Sequence, residues 1–491
     1  MRVLTKRPVA LLVCLILMGC EQPITLDDDL EAAATRLKVE VEASGVGSAP
    51  SGEVRATASL MSFAQASLTE SPIVANARFQ LEAAQQQLRE ERARFRPQVG
   101  LTVENLSTDQ KIVESSNPSF AGNQSTYTTL ESTLRLQQTL LDVPASADIA
   151  RANAVIEARA SELTSAEQRV LNTVLTRYLE SAEALERVIL AEAETAYYQK
   201  VNAAETRRVD EGDMRPSTRG TTVSELARAR SDLAIARADY AIRVQSLCRL
   251  SASGDCPLPR PMSLNVVLPR PAPLSEEEIA ALESAPEFQV LNANLKAALR
   301  EVDRARTRSW PVLSAYVEAA QRDRGGSLFD GSSLTETVNV GVVFDWQIIQ
   351  GGGVRAAARR EINEALALDA ERRQVLQERT GELEAAATGL EALWQNDIAL
   401  QAVMAARLRA LRDAEREQSE GAVSELELAL AQLELTRAEV LRRTARRIFL
   451  AATIAREWST GQLDMEMIDL TSKLAGRADE AVQTYRMSRL P

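Results

Sequence analysis

The chain is 491 residues long and carries 57 basic and 69 acidic side chains, for a net charge of −12. That balance excludes nucleic acid as a partner, because a nucleic-acid binder needs a basic face to displace phosphate counterions. The chain has no histidine, which removes the usual general base, the usual zinc ligand and every Ser-His or Cys-His nucleophile, so neither an enzyme nor a cofactor is expected.

Residues 1–19 read as a signal peptide. Arg2, Lys6 and Arg7 form a basic start, and the apolar stretch from Val9 to Met18 is too short to cross a bilayer. It ends in Leu17-Met18-Gly19-Cys20, which resembles the lipobox of bacterial lipoproteins. Cys20 is therefore the candidate lipidation site, followed by a lipidated spacer over 20–59. An ordinary secretory signal with an incidental cysteine is the competing reading. Beyond Cys20 no apolar run reaches 18 residues, so no helix is expected to span a membrane.

From residue 60 the chain repeats itself. Residues 60–104 align without a gap on 274–318, so that Leu60, Pro72, Arg92, Pro97 and Glu104 recur as Leu274, Pro286, Arg306, Pro311 and Glu318. Further on, Val223-Ser224-Glu225-Leu226 recurs as Val423-Ser424-Glu425-Leu426. Repeat 1 is placed at 60–256, repeat 2 at 274–461, a proline-rich linker at 257–273 and a C-terminal tail at 462–491.

Each repeat reads as helix, strand, loop, strand, long helix, turn, helix. The opening helix is expected to end before Pro97 or Pro311, since proline drives the preceding residue out of the α region. Alternation through Val99, Leu101 and Val103 predicts a strand over 97–106, with its partner over 127–138. The polar loop between them holds Asn117, Pro118, Gly122 and Asn123. The second repeat has strands over 311–320 and 336–347, the latter alternating through Val338, Val340, Val342, Phe344 and Trp346. Aromatic residues gather near these strands, among them Phe95, Phe120, Trp310 and Phe329. Such hairpins fit either a membrane barrel with interfacial aromatic girdles or a soluble sheet on a small core.

The helices are more decisive. No proline lies between Pro144 and Pro216, and a helix from Ala145 to Asp210 would be roughly 100 Å long. Leu171, Leu175, Tyr178, Ala182, Leu185 and Ile189 step by heptad spacing. A helix of that length belongs in a coiled-coil cylinder.

Taken together, the lipobox-like segment, the duplicated helix–hairpin–long helix–helix plan and the prolines at the strand entries resemble the TolC-like outer-membrane channel-tunnel family, also called outer-membrane factors, in its lipoprotein form. The resemblance covers about residues 60–461. It implies a mainly α fold with a membrane β-barrel part, in which an oligomeric α-helical tunnel joins a shared barrel. It further implies a homotrimer, a periplasmic adaptor, an inner-membrane pump or ABC transporter as partners, and outer-membrane lipid around the barrel. The function implied is a passive exit duct, for small-molecule efflux or for type I secretion of proteins. A lipid-anchored periplasmic coiled-coil scaffold without a pore is the alternative of a different class.

Gly421 followed by Val423-Ser424-Glu425-Leu426 looks like the family's turn at the periplasmic tip. By that likeness Glu427 occupies the first acidic position of the channel constriction, and Leu430 stands where relatives carry a second acid. Glu425 is the neighbouring candidate; a solvated helix-surface glutamate is the plain reading of each. Three Glu427 carboxylates converging there would raise one another's pKa. Cys248 and Cys256 close a short loop and suggest a disulfide in an oxidising compartment. Gly351-Gly352-Gly353 precedes a helix but lacks the Gly-Lys-Ser/Thr of a phosphate loop, so a strand-to-helix turn is expected.

Overall fold

The computed structural model describes residues 59–114, 124–251, 256–326 and 331–475. The signal segment, Cys20, the spacer to residue 58, and Asn117, Pro118, Phe120, Gly122, Asn123 and Phe329 lie outside the described residues.

The first half runs α1 (Leu60–Glu70), α2 (Pro72–Ala93), β1 (Gln98–Lys111), β2 (Gln124–Asp142), α3 (Val143–Asp210), a 3-10 turn (Pro216–Arg219) and α4 (Gly220–Cys248). The second runs α5 (Glu276–Ser284), α6 (Pro286–Thr307), β3 (Val312–Arg324), β4 (Ser333–Asp345), α7 (Gly353–Ser419) and α8 (Glu425–Ser459), followed by α9 (Met465–Leu474). Where one opening helix was expected, each half has two. Pro72 and Pro286 sit in the first turn of α2 and α6, and the residues before them, Ser71 and Ala285, are held at ψ 122° and 141°, which breaks the helix there.

The strands are longer at their loop ends than alternation alone predicted. β1 pairs with β2 without a break from Gln98↔Gln137 to Lys111↔Gln124, through the polar stretch Ser107–Gln110. In that stretch the ladder needs only backbone groups, so no apolar alternation marks it. β4 by contrast stops at Asp345, leaving Trp346 outside the strand. The four strands form one antiparallel sheet in the order β1-β2-β3-β4, with β1 and β4 at the edges.

Asp142 starts α3 by accepting the Ala145 N–H at 2.8 Å, and the helix then continues for 68 residues, about 100 Å at 1.5 Å per residue. α7 matches it with 67 residues. Both end alike: Gly212 and Gly421 adopt φ 80° and 75°, and the following amides, Asp213 and Ala422, each donate back over five residues at 2.8 Å. The helices that return from these turns begin differently. Ser424 caps α8, whereas its repeat counterpart Ser224 lies inside α4. The difference lies three residues on, where Glu427 closes a capping box and Ala227 cannot.

The core lies midway along the long helices, where Phe63 of α1, Leu175 of α3, Leu247 of α4, Leu390 of α7, Leu450 of α8 and Ile468 of α9 pack together. The segment after residue 461 is thus partly core, through Leu463, Ile468 and Leu474. On α3 the heptad positions Leu171, Leu175, Tyr178 and Ala182 are buried as their spacing predicts. Leu185 and Ile189 are only half-buried, while Glu186 and Val188 are buried in their place. There the Met262 amide of the linker hydrogen-bonds Glu186, so another face of the helix is covered.

Candidate functional site

The sheet has two chemically opposite faces. In register, Leu101 stands against Leu134, Leu134 against Ala319, and Ala319 against Val338; Leu136, Val317 and Val340 continue the same face. This face is apolar from edge to edge yet open, with Leu101 69% and Val340 76% exposed. An apolar face left open over this extent marks a surface that a membrane or a protein partner covers.

The opposite face is polar and concave, with a hollow lined by Thr102, Glu104, Glu131, Thr133, Arg135 and Glu318 among others. Arg322 grips Glu131 with three hydrogen bonds of 2.8–2.9 Å. Arg135 lies 3.7 Å from Glu318 and stacks over the Tyr316 ring at 4.9 Å. The other neighbour of Tyr316 is Gly341, where a Cβ would sit 2.9 Å from the ring, so only glycine leaves room for it. No helix among the described residues is long and apolar enough to cross a membrane.

At the far end of the long helices, Glu425, Glu427 and Leu430 occupy the start of α8, all exposed. Glu427 and Leu430, three residues apart, share one helix face, and Glu425 lies on another. The Glu427 carboxylate turns back onto its own N-cap, accepting from the Ser424 amide at 2.8 Å and the Ser424 hydroxyl at 2.9 Å. These bonds hold its pKa below the usual carboxylate range. Within one chain this opposes the upward push that crowding in a ring of copies is expected to give. Leu430 is 41% exposed, and one turn further along Glu434 is paired with Arg407 and Arg437.

Cys248 ends α4 and is joined to Cys256, the two Cα atoms 5.2 Å apart and both side chains buried. Gly351 and Gly352 take φ 57° and 85° and form the turn into α7.

A second constellation has no motif in the sequence. Asp397 of α7, 4% exposed, is held by Arg442 and Arg446 of α8, each in a two-pronged pair at 2.9–3.3 Å. Burial drives the Asp397 pKa up, and the hydrogen bonds and charges of Arg446 and Arg442 outweigh it and bring the pKa down. The same guanidinium groups reach the carbonyls of Leu264 and Ser263 in the linker. Lower on α8, Arg456 binds Glu278 and the Ala272 and Pro273 carbonyls. The linker is thus a belt fixed across α3, α7 and α8 by buried charge. Only the density of arginine in Arg442-Arg443-Thr444-Ala445-Arg446-Arg447 signalled it in the sequence.

A two-faced sheet is set on a pair of helices about 100 Å long, with a belt across their middle. The family model described as outer membrane efflux protein matches residues 63–253 and 280–462, well over half of the chain, and the chain belongs to that family. Its fold is also that of the CmeC outer membrane channel of Campylobacter jejuni (TM-score 0.69, 16% identity, 85% of this chain and 90% of that one). VceC of Vibrio cholerae is similar (TM-score 0.63, 16% identity, 82% and 96%). So is the MtrE outer membrane channel of Neisseria gonorrhoeae, crystallised in its open state (TM-score 0.62, 17% identity, 84% and 93%). No curated protein matches the sequence. The family is one of channels, and the chain is not an enzyme.

Proposed function

We propose that three copies of this chain close their four-stranded sheets into one barrel and their long helices into one periplasmic tunnel, forming the exit duct of a tripartite export system. The observation that carries this reading is the sheet itself. It has an apolar face for lipid, a polar face for a water-filled lumen, and two edges with unpaired backbone groups. Open edges are intolerable in hydrocarbon, where no water satisfies them, so closure needs further copies. The helical tips docking a periplasmic adaptor, and through it an inner-membrane pump or ABC transporter, complete the system. Small molecules and secreted polypeptides are both compatible cargoes for a passive duct whose selectivity rests with the pump.

Planar-bilayer recording of the purified full-length protein, paired with unheated and heated gel migration, tests the proposal. Discrete channels and an oligomer that dissociates on boiling are expected. A monomer that neither conducts nor shifts on heating overturns the duct and favours the poreless scaffold. Acylation of Cys20, motivated by the apolar residues and Gly19 before it, belongs to the same reading. Palmitate labelling should vanish in Cys20→Ser, and labelling that persists would sink it.

A further inference from the structure

The two hairpins of the sheet are register-equivalent. Raising β1 numbers by 214 and β2 numbers by 208 turns Gln98↔Gln137 into Val312↔Asp345, and Glu104↔Glu131 into Glu318↔Asn339, both of which are observed pairs. The junction between the hairpins, β2 against β3, therefore has a counterpart between copies: β4 of one copy against β1 of the next. Mapping the same shifts onto that junction predicts its register and its chemistry.

Within the chain, the β2–β3 junction carries three arginines on the polar face. Arg135 stands opposite Glu318, Arg322 opposite Glu131, and Arg324 opposite Thr129. The counterpart of Arg135 is Val343, that of Arg322 is Thr108, and that of Arg324 is Gln110. Every cation is lost. One carboxylate is kept, because Glu318 corresponds to Glu104. Glu104 has no ion-pair partner among the described residues, and its cross-strand neighbour within the chain is Glu131, which is already held by Arg322.

We infer that Glu104, facing the neighbouring copy's Val343 across the junction, sets the charge selectivity of the barrel lumen. This rests on closure of the sheets by further copies, as proposed above. An ion pair that neutralises Glu318 inside each chain is missing at its counterpart between chains. Each junction thus contributes to the lumen wall one negative charge that has no cross-strand cation, whereas the third arginine, Arg324, stacks over the Tyr127 ring. A ring of such charges concentrates cations and repels anions. The lumen then filters small ions by charge at the outer membrane, separately from the helical tip.

Reversal potentials of the reconstituted full-length protein under a KCl gradient test the inference. Glu104→Gln should shift the potassium-over-chloride permeability ratio toward unity, because it removes one fixed negative charge per junction. Val343→Arg, which restores the missing pair, should lower it at least as far. Arg135→Gln, which frees Glu318, should raise it. A conducting wild type whose reversal potential is unmoved by both Glu104→Gln and Val343→Arg overturns this inference alone. A wild type that forms no conducting pore overturns it together with the duct reading. Glu104→Gln is close to isosteric, so it stays informative if Val343→Arg fails to assemble.

Discussion

Asp397 and Arg446 face each other across the α7–α8 interface, with Nε 2.9 Å from Oδ1 and Nη2 3.2 Å from Oδ2, and the arginine is only 1% exposed. Arg442 makes a second pair with the same carboxylate. One buried acid thus answers two buried cations, and the linker carbonyls of Ser263 and Leu264 each accept one further N–H. Removing the acid leaves both guanidinium groups buried and uncompensated, which costs about 3–5 kcal/mol. Asp397→Ala should therefore lower the thermal midpoint followed by circular dichroism, and should release the linker to limited proteolysis. A midpoint equal to that of wild type would contradict a structural role for the pair.

Glu186 gives the belt a pH dependence. Burial is the largest effect on it and lifts its pKa to about 7, against the lowering effects of the Met262 amide, Arg447 and Arg443; Glu183 adds to the rise. The folded value lies above the ordinary value of 4.5, so the folded state holds the proton more tightly. Its contribution to stability is fully present below about pH 4.5 and is lost as pH rises through about 7. Glu186→Gln keeps an oxygen for the Met262 N–H without the charge. Thermal midpoints of the variant should vary less than those of wild type between pH 5 and 8, and should exceed them at pH 8. Parallel curves for the two proteins would remove Glu186 from the account.

The Cys248–Cys256 bridge ties the end of α4 to the start of the linker. Its loop is short, so closing it contributes at most about 2–3 kcal/mol. Intact mass measurement of the mature protein without reductant should find no alkylatable thiol at these positions. Replacing both by serine should reduce stability by no more than that amount and leave the fold intact. Two free thiols in the purified wild type would show that the bridge does not form.

We propose that Glu427 and Leu430 have different tasks at the tip. Gln at position 427 still offers an oxygen to Ser424, so Glu427→Gln isolates charge from capping, and a reduced cation preference in single-channel recordings is expected. Glu425→Gln, on another helix face, should do less. Leu430→Ala opens an apolar ring and should raise basal conductance more than Glu427→Gln does. If none of the three alters conductance or selectivity, the constriction is elsewhere.

Much of the fold was written locally. Proline spacing, the heptad steps from Leu171 to Ala182 and the alternation from Val338 to Phe344 each report a backbone geometry that neighbouring residues alone enforce. The duplication could be read off without any structure, because Leu60, Pro97 and Glu104 recur at one constant offset as Leu274, Pro311 and Glu318. What only the tertiary structure decided depends on residues far apart in the chain. Pairing Asp397 with Arg442 and Arg446 requires α7 and α8 to lie side by side, and gripping Ser263 requires the linker to cross them. Neither follows from spacing. Pro72 is compatible in sequence with a helix interrupted or begun there, since proline is tolerated in a first helical turn, and the extended Ser71 backbone decides that a new helix begins. The capping box of Glu427 is equally local, four residues long, yet the family motif points to the constriction and not to the cap. In the folded chain the Glu427 carboxylate turns back onto the Ser424 amide and hydroxyl.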